Sequence, residues 1–279
     1  MSARMSVIVP AHNEASVIAR LLGRLVQSDT DRLLEIVVVV NGATDGTAAT
    51  ARATSPRIRV IEIPTASKTA ALNAGDAATD LFPRAYVDAD IEVDAPALLA
   101  LADRLSEPGI VLSAAPRMVV DTTGASLGAR AYQAVWKHTS YAVAGPIGGG
   151  VYALSKAARA TFDVFPPVIA DDLWIERVAG AGRWVDESHV FVSHAPRNLT
   201  AVVNRLTRAT VGNLQLERHY GLAASTGSAA DLVGRILRRP WLWPAFAVYA
   251  GVRMTAERRA RRRLAAGALE WSRDDSSRA

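Results

Sequence analysis

The sequence contains no cysteine. That absence excludes a disulfide framework, thiolate zinc sites and thiol catalysis together. It has only three lysines, at positions 68, 137 and 156, against a large excess of arginine. It also lacks any run of about 20 apolar residues that could span a bilayer. The longest uncharged stretch, His138–Ser155, holds Pro146 and the triplet Gly148-Gly149-Gly150, which suits a loop. Pro240–Val252 is the most membrane-like piece, but it is short and interrupted by Pro244. The N-terminal apolar run, Val7–Pro10, is too short for a signal-peptide core, so a cytoplasmic protein is expected. Internal repeats are absent as well.

What is present is enough apolar material for one large domain or two ordinary ones. Of 279 residues, 50% are hydrophobic and 21% charged, which excludes disorder as the overall state. The net charge of +5 is unevenly divided. Residues 1–234 carry 21 basic against 23 acidic side chains, and residues 235–279 carry 11 against 4. The basic character therefore belongs to a C-terminal segment.

The first half alternates two patterns. Ser6–Pro10, Glu35–Val40, Arg59–Ile63 and the run ending at Val87 are short blocks rich in β-branched residues, as in strands covered on both faces. Between them lie helical patterns: Val17, Ile18, Leu21, Leu22 and Leu25, with Asn13 as the expected cap, then Thr44–Thr54 and Lys68–Ala77. The reading is an α/β fold, an open and mostly parallel sheet flanked by helices, with a helical C-terminal extension. Later elements are expected at Ile110–Val120, Leu127–Thr139 and Val151–Leu154. A short β pair at Val185 and Val190–Val192 and a helix over Asn198–Leu216 follow. The expected organisation is a domain over 1–220, a linker or loop over 221–234 and a basic amphipathic segment over 235–279.

Ligands of such sheets bind beyond the carboxyl ends of the strands. Four strand ends here carry polar groups: Pro10 to Glu14, Asn41 to Asp45, Lys68 at the helix after the third, and Asp88 with Asp90 after the fourth. Two carboxylates at that spacing suit a hard divalent cation such as Mg²⁺ or Mn²⁺, which can bridge a diphosphate.

The ordered segments SVIVPAHNE, VVVVNGATDGT, SKTAALNAG, YVDAD and ADDLWIERV resemble the motifs of the family 2 glycosyltransferases with the GT-A fold, over roughly residues 5–210. The resemblance implies a nucleotide-sugar donor, a Mn²⁺ or Mg²⁺ cofactor and inversion at the anomeric carbon. Carried over by position, it puts Pro10, Ala11, Glu14 and Asn41 against the nucleoside and Lys68 on the donor phosphates. Asp88 falls at the ribose or the metal's shell, and Asp90 on the metal. Asp172 becomes the general base, with Asp171 beside it on the acceptor side, and His194 becomes a further metal ligand. Gly149 and Gly150 would flank the acceptor, and Arg205 and Arg208 would clamp the diphosphate.

Each residue has a plainer use: a helix-start carboxylate for Glu14, a turn for Asp45, a solvated lysine for Lys68, an N-cap for Asp172. His194 at a strand end and the glycines in a hairpin turn would be merely structural, and the two arginines could pair with surface acids. The chain departs from the family pattern at Val40-Asn41, where two acidic residues are usual, so the base is open. Asp171 replaces the usual Glu. The segment Asn204-Arg205-Leu206-Thr207-Arg208-Ala209 lacks the tryptophan of processive members, which points to a single transfer.

Between 235 and 263 nine arginines surround Trp241, Trp243, Phe246 and Tyr249, with Glu257 the one acid. Bunched aromatics beside arginines fit an anionic membrane surface better than a nucleic-acid groove, with a helix packed on the domain as the alternative. A lipid-linked acceptor hydroxyl and a peripheral place on the inner face of the membrane would follow. The rival activities are a retaining glycosyltransferase or a nucleotidyltransferase on the same fold. From another class comes a catalytically silent sugar-nucleotide-binding or membrane-adaptor protein.

Overall fold

In the computed structural model, residues 4–107, 109, 111–145, 149–179, 182–222 and 229–266 are described. Strands β1 (Met5–Ala11), β2 (Leu34–Asn41), β3 (Ile58–Ile63) and β4 (Arg84–Val87) form where the apolar blocks lie. They alternate with helices α1 (Ile18–Ser28), α2 (Thr47–Thr54) and α3 (Lys68–Asp76). Then come α4 (Ala95–Ser106), β5 (Ser113–Asp121), α5 (Leu127–Trp136), α6 (Ser140–Val143), β6 (Val151–Leu154) and α7 (Lys156–Arg159). The chain continues through α8 (Asp171–Val178), β7 (Arg183–His194), α9 (Leu199–Tyr220), α10 (Ala229–Leu237), a 3-10 turn (Pro240–Leu242) and α11 (Trp243–Ala265).

The seven strands make one sheet in the order β3-β2-β1-β4-β6-β5-β7. The first four are parallel, β6 is antiparallel to both neighbours, and β5 and β7 are parallel to each other. Winding runs outward from β1 to β3 and returns to β4, so the order reverses between β1 and β4. A crevice opens at such a switch point. Strand β1 is buried throughout because it is covered twice. Met5, Val7, Val9 and Ala11 meet α1 and α4, while Ile8 faces the other way onto Leu72 of α3.

A buried carboxylate fastens α3 to the sheet. Asp76 Oδ1 accepts from Tyr86 Oη at 2.7 Å and Arg84 Nη1 at 2.5 Å, and its Oδ2 accepts from Arg159 Nε at 2.6 Å.

Several expectations need correction. Asn13 does not cap α1. Its backbone is left-handed (φ 54°), and its Oδ1 accepts from Thr44 N at 2.7 Å, tying the first strand-end loop to the second. The two short β pieces are one twelve-residue strand, β7, whose register shifts opposite Pro116/Arg117. Asp186 turns that irregular stretch by accepting from Ser188 N at 2.9 Å, which gave it the look of a break. Helix α9 runs four residues past Leu216, to Tyr220, and is capped by Gly221, whose N–H donates to Glu217 O at 3.1 Å. His138–Ser155 holds α6 and β6, and Gly148 within it lies outside the described residues. Of the expected linker, 223–228 lie outside them too, and 229–234 belong to α10.

The C-terminal segment packs on the domain as far as it is described. Pro244 sits in the first turn of α11, where no amide is needed, so it starts the helix rather than interrupting it. Tyr249 stacks on Tyr132 of α5 with ring centroids 5.1 Å apart. Val252, Ala256 and Ala260 are buried against the rest of the fold. Among the described residues no helix is long and apolar enough to cross a membrane.

Candidate active site

The crevice at the switch point is a cavity of about 940 Å³, at the upper end of the usual range for small-molecule sites. Pro10, His12 and Glu14 reach it from β1, and Asn41 from β2. His12 Nδ1 lies 2.6 Å from Asn41 O, so the two strand ends are joined. Asn41 Nδ2 is buried without a hydrogen-bond partner among the described residues. An amide donor left so in a cavity wall fits a ligand that brings an acceptor. Glu14 is 6% exposed, and its carbonyl accepts from Val17 N at 3.0 Å and Ile18 N at 2.9 Å, so it opens the turn that leads into α1 while it also lines the cavity. Asp45 is a turn residue: its carboxylate accepts from Thr47 N at 3.0 Å and from Ala15 N at 3.2 Å.

Lys68 is the first residue of α3, behind the N-cap Ser67. It is not a solvated lysine. Its Nζ lies 2.8 Å from Asp88 Oδ1 and 3.1 Å from Asp171 Oδ2. Burial works against its charge, but the carboxylates of Asp171, Asp88 and Asp172 outweigh it and raise its pKa well above the ordinary value. Asp171 is 3% exposed. Burial pushes its carboxyl up to about 6, against the pull of Lys68 and helped by Asp172 and Asp88. Desolvation thus wins over the ion pair at Asp171. Tyr152 lies beneath this group with its hydroxyl buried, and its pKa is raised first by burial and then by Asp171.

Asp172 follows in the first turn of α8 and lines the cavity. Its Oδ1 accepts from Leu173 N at 2.8 Å and its Oδ2 from the backbone N–H of Gly149 at 3.3 Å. Gly149 is left-handed (φ 76°) in a loop that aims its amide at this carboxylate. Gly150 has a packing reason of its own: a Cβ there would stand 2.7 Å from Ile91 Cγ2, and its carbonyl accepts from Asp88 N at 2.8 Å. The two adjacent acids therefore differ: Asp171 is buried and ion-paired, and Asp172 faces the cavity.

Asp88 and Asp90 both line the cavity. The structure brings Pro10, Glu14, Asn41, Lys68, Asp88, Asp90, Gly149, Asp171, Asp172, Arg205 and Arg208 to its wall, but not Ala11, Gly150 or His194. His194 stands between two carboxylates, its Nε2 2.9 Å from Glu92 Oε1 and its Nδ1 3.3 Å from Asp121 Oδ2. Glu92 is also paired with Arg20 and Arg24. Among the described residues no group of three or more acidic or histidine side chains is arranged to hold a metal. Two carboxylates in one cavity still fit Mg²⁺ or Mn²⁺ chemically, because Mg²⁺ takes one or two carboxylates and draws further oxygens from water and substrate phosphates.

Sequence reasoning missed the other end of this cavity. Tyr132 and Trp136 of α5, Leu232 and Val233 of α10, and Phe246, Tyr249, Arg253 and Met254 of α11 line it. The bunched aromatics and arginines of the C-terminal segment were the signal, read there as a surface separate from the crevice.

Residues 6–144, about half the chain, match the model of the family described as Glycosyl transferase family 2. The fold is shared with a mannosyltransferase, PcManGT, from Pyrobaculum calidifontis, solved in complex with GDP-Man and Mn²⁺. The two are 23% identical with a TM-score of 0.58, over 96% of this chain and 80% of that one. Glucosyl-3-phosphoglycerate synthase from Mycobacterium tuberculosis, solved with Mn²⁺, UDP and glucosyl-3-phosphoglycerate, is 19% identical, with a TM-score of 0.56 over 79% of this chain and 81% of that one. S. aureus TarS 1–349 is 16% identical, with a TM-score of 0.53 over 92% and 91% of the two chains. No curated protein matches the chain.

Proposed function

Because this chain belongs to glycosyl transferase family 2 and is a glycosyltransferase, we propose that it moves one sugar from a nucleotide-sugar to an acceptor hydroxyl with inversion at the anomeric carbon. The observation that carries this reading is the division of labour between Asp171 and Asp172. Lys68 holds Asp88 on the donor side and the buried Asp171, which leaves Asp172 toward the cavity, oriented by the amide of Gly149.

The donor's nucleoside lies against Pro10, Glu14 and Asn41, whose buried Nδ2 donates to an acceptor on the base. Lys68, Arg205 and Arg208 face the diphosphate. Asp90, with Asp88 beside it, would hold a Mn²⁺ or Mg²⁺ ion; His194 would belong to that set only on leaving Glu92 and Asp121. When bound, the ion neutralises charge on the departing diphosphate. The acceptor oxygen bonds to the anomeric carbon from the side opposite the diphosphate, and the bond from that carbon to the diphosphate oxygen breaks. The electron pair leaves with the diphosphate, and the acceptor's proton passes to the Asp172 carboxylate. Support comes from the family assignment and from Mn²⁺ and nucleotide ligands in structures of the same fold.

The test is slow hydrolysis of UDP-, GDP- and dTDP-sugars with Mn²⁺ by the purified chain, with the anomeric configuration of the released sugar read by NMR. Release with retained configuration removes the inverting mechanism. Pyrophosphate release from a nucleoside triphosphate would replace the reading with nucleotidyl transfer.

A further inference from the structure

The cavity has two chemically different ends. Asp88, Asp90, Asp171 and Asp172 reach it from the end of β4 and the start of α8, and the apolar Leu206, Leu232, Val233, Phe246 and Met254 from α9, α10 and α11, with Arg205, Arg208 and Arg253 also in the lining. A sugar acceptor that is polar all over does not need that apolar wall. The wall also continues outside. Val233 and Met254 line the cavity yet are 39% and 54% exposed, so they stand at its mouth. One turn beyond Val233 on the same face of α10 is Leu237, 61% exposed, and Trp241 and Trp243 follow at 71% and 53%. Exposed large apolar side chains in one place mark a contact surface.

Charge says what the surface meets. Arg235, Arg238 and Arg239 sit among these apolar residues, and together with His138, Val143 and Trp241 they line a second, open cavity of about 510 Å³. Arg235 Nη1 and Arg239 Nη1 donate to the backbone carbonyls of His138 and Arg235, not to carboxylates. Acids on α10 and α11 are few: Asp231, and Glu257, which pairs with Arg261 at 2.6 Å. Tryptophans among arginines, beside an amphipathic helix with one strongly apolar face, match the boundary of an anionic bilayer.

We propose that the acceptor is a hydroxyl-bearing membrane lipid whose hydrocarbon chain runs along Val233 and Leu237 into the apolar end of the cavity, drawn from an anionic bilayer on which Leu237, Trp241, Trp243, Arg235, Arg238 and Arg239 rest. The idea rests on the glycosyltransferase reading and deepens it by naming the acceptor's class. The chain's head reaches Asp172 from the apolar end, while the nucleotide occupies the polar end. Arg253 of α11, in the lining beside Met254, faces whatever anionic group links head to hydrocarbon.

The experiment uses the full chain and two probes: phosphatidylcholine vesicles with and without phosphatidylglycerol, and dodecyl phosphate. Sedimentation should show binding only to the anionic vesicles. Arg238→Glu, or Leu237→Ser combined with Trp241→Ser, should weaken it by about tenfold or more. Dodecyl phosphate should raise the melting temperature of the native chain, and Val233→Asp should remove that rise. All of these positions are exposed, and donor hydrolysis by Arg238→Glu, which lies outside the active-site cavity, should equal that of the native chain. No binding of the native chain to anionic vesicles, or binding unchanged in the variants, overturns the proposal. So does a dodecyl phosphate shift that is absent, or equal in Val233→Asp. Loss of donor hydrolysis in the native chain instead strikes the glycosyltransferase reading, which separates the two failures.

Discussion

Lys68 Nζ stands 3.1 Å from Asp171 Oδ2 and thereby ties the first turn of α3 to the first turn of α8, across 103 residues of sequence. The same ammonium holds Asp88 at 2.8 Å. Replacing it by methionine leaves a carboxylate that is 4% exposed without its counter-charge. Lys68→Met is expected to cost on the order of 3 kcal/mol of stability and to weaken donor binding. Thermal melts and nucleotide titration check both, and unchanged values for both would refute the bridging role.

Asp172→Asn removes the proposed proton acceptor but keeps the shape. The expected loss of transfer is about a hundredfold to ten-thousandfold, with nucleotide binding changed less than about twofold. The paired measurement is turnover against calorimetric donor affinity. Full turnover in the variant removes the proposed mechanism.

Asp90→Ala should weaken nucleotide binding in the presence of Mn²⁺ and leave binding in its absence nearly unchanged, because only the metal-linked part of the affinity depends on this carboxylate. Thermal shift with and without EDTA reads the difference. Equal shifts for variant and native chain would take the metal away from Asp90.

Asp171 makes stability depend on pH in a definite direction. Folding raises its pKa from 3.8 to about 6. A carboxyl so raised stabilises the fold while protonated. That contribution is complete below the unfolded value and is lost as pH rises through about 6. Relative to Asp171→Asn, the native chain should therefore gain about 1.4 kcal/mol between pH 7 and pH 5. Melting curves of the two proteins at both pH values give the answer; parallel behaviour would show that Asp171 does not titrate there.

Tyr249→Ala should destabilise by about 3 kcal/mol, as removal of a packed aromatic does, because its ring lies between Tyr132 and Phe246. Urea unfolding measures it. A near-neutral result would mean that α11 is not part of the core. For the same reason, deleting residues 235–279 is a poor test of membrane binding, since it removes Val252 and Ala256 from the core as well.

The strand-end side of the cavity was readable from residues because its determinants are local. Strands covered on both faces must be apolar without interruption, as in Val37–Val40, and the polar residues directly after them fall at the crevice. The far end of the cavity was not readable, for a physical reason. Helix α11 buries small residues, Ala256 and Ala260, against α9 and α5. It therefore shows no strong apolar stripe, and its arginines dominate what the eye sees. His194 illustrates another limit. A histidine at a strand end carries no mark of whether Glu92 and Asp121 will be there to hold it. The difference between Asp171 and Asp172 was likewise invisible, since it depends on Lys68 and Gly149, distant in sequence.

The two sides of the cavity are encoded far apart: most of the proposed nucleotide contacts lie within residues 10–90, and seven apolar lining residues, from Ala229 to Met254, lie in α10 and α11. Variation in one stretch can therefore proceed without disturbing the other. With the proposed acceptor site, a lineage could change which molecule it glycosylates by altering α10 and the first half of α11, keeping its donor. What confines such drift is the Tyr132–Tyr249 stack, since any exchanged segment must still seat its aromatic on α5.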